Sequence, residues 1–336
     1  MTTPYERDIG DQAEALLAFS QSATPPALTR LLRGRYDRIV LTGMGSSHFA
    51  ALPSWRRLAD AGYPAWWADS GQLLDSPGLI TPGTLLIATS QSGASAEIIA
   101  MLEPENPINR AAALIAVTND PASPLARRAD GLLPLHSGSE ATVSTKSYLN
   151  SLAAQLRIAS ILIAQPGPDA GDAVKVADEF SPCPLLLAAA GLTAAPGGRL
   201  AYIGYGDHSA TALYAALITK EAAKIPVEGY VGGQFRHGPL ELAGPGLTAV
   251  LFGGSAPVNP SLRQLGRDLL ASGSAVLAVG DLDLAGADQI AAPAGDTLAQ
   301  LAHGALVSQH LSVAIARAKD ITPGVFTYGS KVTTAL

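Results

Sequence analysis

One cysteine, Cys183, is all that the 336 residues carry. This excludes an intramolecular disulfide and any zinc site built from clustered thiolates, and it suits a reducing compartment. Charge is also sparse: only 15% of residues are charged, scattered along the chain with a net of −6, so the basic stripe that a nucleic-acid backbone requires is missing. No apolar stretch reaches membrane-spanning length without Pro, Gly or charge. The opening residues, Met1-Thr2-Thr3-Pro4-Tyr5-Glu6-Arg7-Asp8, lack the basic-then-apolar order of a signal peptide. The expectation from these absences is a cytoplasmic protein with neither nucleic acid nor membrane as partner.

What is present is a chain with 48% apolar residues, long enough for two domains of ordinary size. Runs of strand length, "RIVLTG" (38–43), "PAWWAD" (64–69), "TLLIATS" (84–90), "AALIAVT" (112–118) and "DGLLPLH" (130–136), alternate with stretches of helical spacing such as "SHFAALPSWRRLADAG" and "SAEIIAMLE". Continuous apolar runs suit strands buried on both faces of a parallel sheet, and strand–helix alternation predicts an α/β layered domain. The second half repeats the rhythm with "RLAYIGYG" (199–206), "LTAVLFGG" (247–254), "SAVLAVGD" (274–281) and "ADQIAAP" (287–293). Laying "RIVLTGMGSSHFAAL" over "RLAYIGYGDHSATAL" exposes an internal duplication: a basic residue, an apolar strand, Gly-x-Gly, then a polar turn into an Ala-rich helix. The expected organisation is a helical segment over 1–36 that breaks at Pro25-Pro26, a first domain over 37–168, a second over 169–319 and a tail over 320–336. The join falls near "AQPGPDAGD" (164–172).

Polar residues interrupt this pattern at chemically useful places. Gly43-Met44-Gly45-Ser46-Ser47 closes a strand ahead of a helix, where free amides and the positive helix terminus favour an anion, although tight turns also use glycine on steric grounds alone. It is no dinucleotide fingerprint, because His48 stands where the third glycine belongs, and no phosphate loop ending in Gly-Lys-Ser/Thr. Ser90-Gln91-Ser92-Gly93-Ala94-Ser95 occupies the equivalent place two strands later. Its hydroxyls, the Gln91 amide and the amides of the following helix can surround a phosphate, and they exceed what an N-cap at Ser92 or Ser95 requires. Ser144-Thr145-Lys146 precedes a long helix, "SYLNSLAAQLRIASILIA", and taken alone reads as a cap followed by a solvated lysine. The densest polar stretch, "TKEAAKIPVEGYVGGQFRHGPLEL", offers Glu221 and, in a Gly-flanked turn, His237. These are the parts of a proton-transfer pair, or a surface Glu and a structural His.

With these stretches in view, "TSQSGASAE", "VSTKSY" and "KEAAKIPVEGYVGGQFRHGPLEL" resemble the sugar isomerase (SIS) domains, over roughly residues 30–336. In order and spacing the chain is similar to the double-domain isomerase half of glucosamine-6-phosphate synthases and to related amino-sugar-phosphate deaminases and deglycases. The resemblance implies two tandem SIS domains, each a five-stranded parallel sheet between helix layers, and a homodimer whose active sites share residues. It implies a cradle for a sugar phosphate made by Ser46, Ser47, Ser90, Gln91, Ser92 and Ser95, with Ser144 and Lys146 also assigned to the substrate. Glu221 then matches the base that moves a proton between C1 and C2, and His237 the histidine that assists ring opening. Lys331 matches a tail lysine that forms a Schiff base with the ketose carbonyl. No metal and no other cofactor is implied.

Departures from the family pattern shape the expected activity. No glutaminase part and no N-terminal nucleophilic cysteine precede the isomerase part, so ammonia is not expected to come from glutamine. Ile218 stands where the synthases carry a lysine one helical turn before the base, and the loop ahead of Val143-Ser144-Thr145-Lys146 is a residue shorter. The expectation is an isomerase of an amino-sugar phosphate that releases the amine, deaminase-like on glucosamine 6-phosphate or deglycase-like on a fructosamine 6-phosphate. A plain aldose–ketose isomerase of a phosphorylated or otherwise anionic sugar would use the same base. A sugar-phosphate sensor without turnover would keep the cradle alone.

Overall fold

The computed structural model describes residues 2–254 and 260–335. The chain divides into two compact units, each assembled from segments distant in sequence. One takes Glu14–Glu140, Lys146–Pro168 and Tyr328–Leu336; the other takes Met1–Ala13, Ala141–Thr145 and Asp169–Thr327.

In the first of these units five strands, β1 (Arg38–Gly43), β2 (Ala65–Trp67), β3 (Thr84–Thr89), β4 (Ala113–Thr118) and β5 (Gly131–Pro134), pair in parallel in the order β2-β1-β3-β4-β5. The second unit repeats this with β6 (Arg199–Gly204), β7 (Glu228–Val231), β8 (Leu247–Phe252), β9 (Ala275–Val279) and β10 (Asp288–Ile290), in the order β7-β6-β8-β9-β10. The two orders are the same when each strand is counted within its own half, so the duplication seen in the sequence is a duplication of topology.

Every residue of β3, β4 and β8 is buried, because helices cover both faces of the sheets. In the second unit Tyr202, Val250 and Leu277 pack with Leu186, Leu311 and Ile315 on one face. Ile203, Leu251 and Ala278 pack with Leu265 and Leu269 on the other. In the first unit Val40, Leu86 and Ala116 pack with Ile98 and Met101. The helix Lys146–Leu162 is buried along nearly its whole length, Leu149, Leu152 and Leu156 included, so that polar residues such as Asn150 and Gln155 are enclosed with the apolar ones. Its Asn150 amide donates to the carbonyls of Ala15 (2.9 Å) and Leu135 (2.8 Å), satisfying two buried backbone acceptors.

Two local differences from the sequence expectation have plain causes. The N-terminal segment holds three helices, Pro4–Gly10, Gln12–Gln21 and Pro26–Leu32, rather than one helix and a break. The first opens with a capping box between Thr3 and Glu6, and Pro26 starts the third, where a missing N–H costs nothing. Strand β7, "EGYV", was not foreseen; it is short, lies at a sheet edge and is only half-buried, so it needs no apolar run. Among the described residues no helix is long and apolar enough to cross a membrane.

Candidate functional site

In a parallel sheet of this order a crevice opens outside the carboxyl ends of the two strands from which the chain winds in opposite directions. In the first sheet these are β1 and β3. Gly43 pairs with Thr89, so the turns that follow, 44–47 and 90–95, are neighbours. A Cβ on Gly43 would stand 2.7 Å from the Thr89 carbonyl oxygen, and Gly45 has a φ of 51°. The second half makes the same demands: a Cβ on Gly204 would overlap the His208 carbonyl, and Gly206 has a φ of 61°. Both glycines of each Gly-x-Gly are therefore requirements of the turn, and any anion chemistry rests on the residues that follow. After β1 these are Ser46 and Ser47; after β6 they are Asp207 and His208. A carboxylate beside a turn disfavours a phosphate, so of the two turns the one after β1 suits an anion better.

His48, at the place of the absent third glycine, is packed rather than presented. Its ring stacks on Trp67 at 4.0 Å and an interplanar angle of 4°, while the Trp67 indole N–H donates to the His48 carbonyl at 2.7 Å. Burial pushes its pKa down to about 4 against the opposing charge of Asp69, so the ring is neutral at pH 7.

In the turn after β3 the hydroxyls do more than cap. Ser90, itself buried, accepts at Oγ from the Gly93 amide (3.1 Å), and Ser92 Oγ accepts from the Ala94 amide (3.2 Å). Each bond uses an oxygen lone pair and leaves the O–H as a donor. Ser95 occupies the N-cap of the helix Ala96–Leu102 without a side-chain capping bond. The Gln91 carbonyl is held by the Thr118 hydroxyl (3.2 Å) and the Asn119 amide (3.0 Å), which fixes the backbone of the turn. Gly93, at a φ of 59°, packs its Cα face on Ser123 and cannot carry a side chain. The Ala96 amide, expected to point at a ligand, donates instead to the Thr333 carbonyl at 2.9 Å.

That contact brings the last residues of the chain to this turn, and Lys331 with them. Lys331 Nζ lies 2.5 Å from Glu140 Oε2, and the Glu140 side chain has no exposure to solvent. Ser147, one residue into the helix Lys146–Leu162, donates to the same carboxylate from its amide (3.0 Å) and its hydroxyl (2.6 Å). Burial alone would raise the Glu140 pKa; the Lys331 charge, with hydrogen bonds from Lys331 and Ser147, outweighs it and leaves the pKa lowered. Lys146 begins the helix and is buried, not the solvated charge that its local sequence suggests. In the other unit the Ser144 carbonyl accepts from the Tyr214 hydroxyl at 2.7 Å, which leaves the Ser144 side chain out of that bond.

Glu221 and His237 both belong to the second unit. Glu221 lies in the last turn of the helix His208–Ala223 and is half-buried. Lys224 terminates that helix in the left-handed conformation, φ 54°, and its ammonium donates to the Glu221 carbonyl. Burial lowers the Lys224 pKa while the nearby Glu221 charge works to raise it. Ile218 is fully buried, so the helix face on which the synthases carry a lysine is closed here by a core side chain. His237 ends the short 3₁₀ turn Gly232–Arg236; its amide donates to the Gln234 carbonyl (3.0 Å), and its imidazole is exposed.

Two residues, one in each unit, contact candidate residues and escape a reading of the sequence. Glu140 shows only as an acidic residue shortly before a helix start, and Lys224 only as a basic residue at a helix end, where either is commonplace. Among the described residues no three His, Cys, Asp or Glu side chains come together as a metal site.

The family model of the SIS domain matches residues 33–160 and 195–285. The chain is 32% identical over 254 residues to a glutamine–fructose-6-phosphate aminotransferase (isomerizing) of Symbiobacterium thermophilum, a match covering 71% of this chain and 41% of that protein. It spans less than half the length of the curated relatives it matches first. Among solved structures it is similar to the tagatose-6-phosphate ketose/aldose isomerase of Escherichia coli (TM-score 0.78, 22% identity, 96% and 94% of the two chains). It is also similar to a glucosamine-6-phosphate deaminase of Thermotoga maritima (TM-score 0.76, 19% identity, 98% and 99%). At these identities the two structures speak to the fold alone.

Proposed function

The chain belongs to the SIS domain family, and we propose that it isomerises an amino-sugar phosphate and releases the amine. The observation that carries this reading is the turn at 90–95, where seryl oxygens are engaged by backbone amides at a switch point and their O–H groups remain to meet a phosphate. Neutral donors hold an anion without the grip of several Arg or Lys, which suits a substrate that must leave. The named activities of the relatives, an isomerising aminotransferase, a ketose/aldose isomerase and a deaminase, all concern hexose 6-phosphates or their amines.

In the simplest form glucosamine 6-phosphate becomes fructose 6-phosphate and ammonia. His237 assists opening of the sugar ring. Glu221 takes the proton from C2 of the open aldose and returns it to C1, so the amine-bearing carbon becomes an imine. Water adds to that imine and ammonia departs, leaving the ketose. A deglycase acting on a fructosamine 6-phosphate would use the same base. The exposed imidazole of His237 suits a group delivered to a neighbouring subunit in a homodimer, a state that sedimentation velocity reads directly.

The test is release of ammonia and ketose phosphate from glucosamine 6-phosphate or galactosamine 6-phosphate, and of the amine and glucose 6-phosphate from a fructosamine 6-phosphate. Glu221→Gln should lower kcat by about 10²–10⁴-fold, the usual worth of a positioned general base, with sugar-phosphate binding retained. Ketose formed without amine would make the protein a plain isomerase. Binding without turnover would make it a sensor.

A further inference from the structure

Glu140 has no place in the proton transfer, yet it is a carboxylate wholly removed from solvent, and it faces a lysine 191 residues away in sequence. Three donors converge on it. Ser147 supplies its amide to Oε1 and its hydroxyl to Oε2, and Lys331 supplies its ammonium to Oε2. Because Ser147 belongs to the first turn of a long buried helix, the carboxylate is anchored to that helix, at the end that favours negative charge.

Lys331 has no comparable support of its own. It lies in a stretch without regular structure, where Tyr328 is fully exposed and residues 333–335 are exposed as well. Among the contacts of that stretch are Lys331 on Glu140 and, two residues later, the Thr333 carbonyl on the Ala96 amide at the end of the 90–95 turn. The tail is thus tied to the end of the turn by a backbone bond and to Glu140 by an ion pair.

We propose that Glu140 is a positioning residue: it latches the tail through Lys331 and holds that side chain as an ammonium beside the 90–95 turn, so that Lys331 meets the substrate as a fixed positive charge. An ammonium nitrogen has no lone pair with which to attack a carbonyl. A Schiff base would require the nitrogen to lose a proton and to leave its ion pair with Glu140. The assignment of charge to substrate binding rests on the reading of the turn as a sugar-phosphate site; the latch itself does not.

The experiment compares the full chain with Glu140→Gln, Lys331→Arg and Lys331→Met, with fructose 6-phosphate as the probe. Hydrogen exchange reads the latch. In Glu140→Gln the Ala96 amide, bonded to the tail at Thr333, should exchange about ten- to a hundredfold faster, the worth of a charge-assisted bond; unchanged exchange overturns the latch. Calorimetry reads the charge. Lys331→Arg should keep affinity within a few-fold, whereas Lys331→Met should lose about tenfold or more; equal losses in the two overturn it. Incubation with fructose 6-phosphate and cyanoborohydride, followed by mass spectrometry, should leave wild-type Lys331 unmodified, and a sugar adduct on Lys331 overturns the fixed-charge role. The lysine variants change an exposed tail, so the test stands even where Glu140→Gln folds poorly. If the wild type binds no fructose 6-phosphate while the Ala96 amide of Glu140→Gln exchanges faster, the latch stands and the sugar-phosphate reading falls.

Discussion

At the level of single side chains, the hydroxyls of the turn after β3 can face two ways. Ser90 and Ser92 use lone pairs to close the turn on Gly93 and Ala94, and in the proposed function the same oxygens offer their hydrogens to the sugar phosphate. Removing one hydroxyl should therefore cost binding more than catalysis. Ser92→Ala is expected to weaken fructose 6-phosphate binding by about 1–3 kcal/mol, the value of a charge-assisted hydrogen bond, with kcat little changed; calorimetry alongside steady-state kinetics separates the two. The side chains of this turn are visible in the sequence as an uncharged Ser-rich break after an apolar run. What is invisible there is which donors remain. The Ala96 amide is consumed by Thr333, a partner more than two hundred residues away in the chain.

At the level of elements, the two Gly-x-Gly turns show how one scaffold is used differently in each half. Steric demands place glycine identically after β1 and β6, whereas the residues that follow, Ser46-Ser47 against Asp207-His208, make the first turn the better suited to the proposed anion. The helix His208–Ala223 carries a second such choice at its end. Lys224 holds a left-handed backbone that glycine adopts without strain, so Lys224→Gly should leave stability unchanged or raise it by about 1 kcal/mol. The same change removes the ammonium beside Glu221 and should lower turnover. Urea denaturation and the rate assay together check this: a loss of both stability and activity would make the lysine merely structural. Strand β7 was missed in the sequence for an element-level reason, since an edge strand with one paired side needs neither length nor an apolar run.

Across the whole molecule, the buried histidines set a pH limit. Burial holds His48, His208 and His303 at pKa values of about 4, below the usual 6.5, and for His208 the nearby His303 adds to the effect. Between these values the unfolded chain binds more protons than the folded one, so stability is full above about pH 6.5 and falls as the pH drops toward 4. The loss should reach up to about 1.4 kcal/mol per histidine for each pH unit. Urea midpoints measured at pH 7, 6 and 5 check the sign; a midpoint that holds steady over this range would place the three rings in solvent or in charged pairs. Much of the architecture follows from the sequence alone. Strands such as 38–43 and 84–89 are buried on both faces, and that burial leaves an unbroken apolar run whatever the partners are. The duplication is legible because the same turn sterics recur in both halves. Strand order, the neighbouring turns at β1 and β3, the burial of Lys146 and the Glu140–Lys331 pair were decided only by the tertiary structure. Local sequence reports what a residue can bond to, whereas its partner is chosen by which distant segments the packed sheets and helices bring to the same edge.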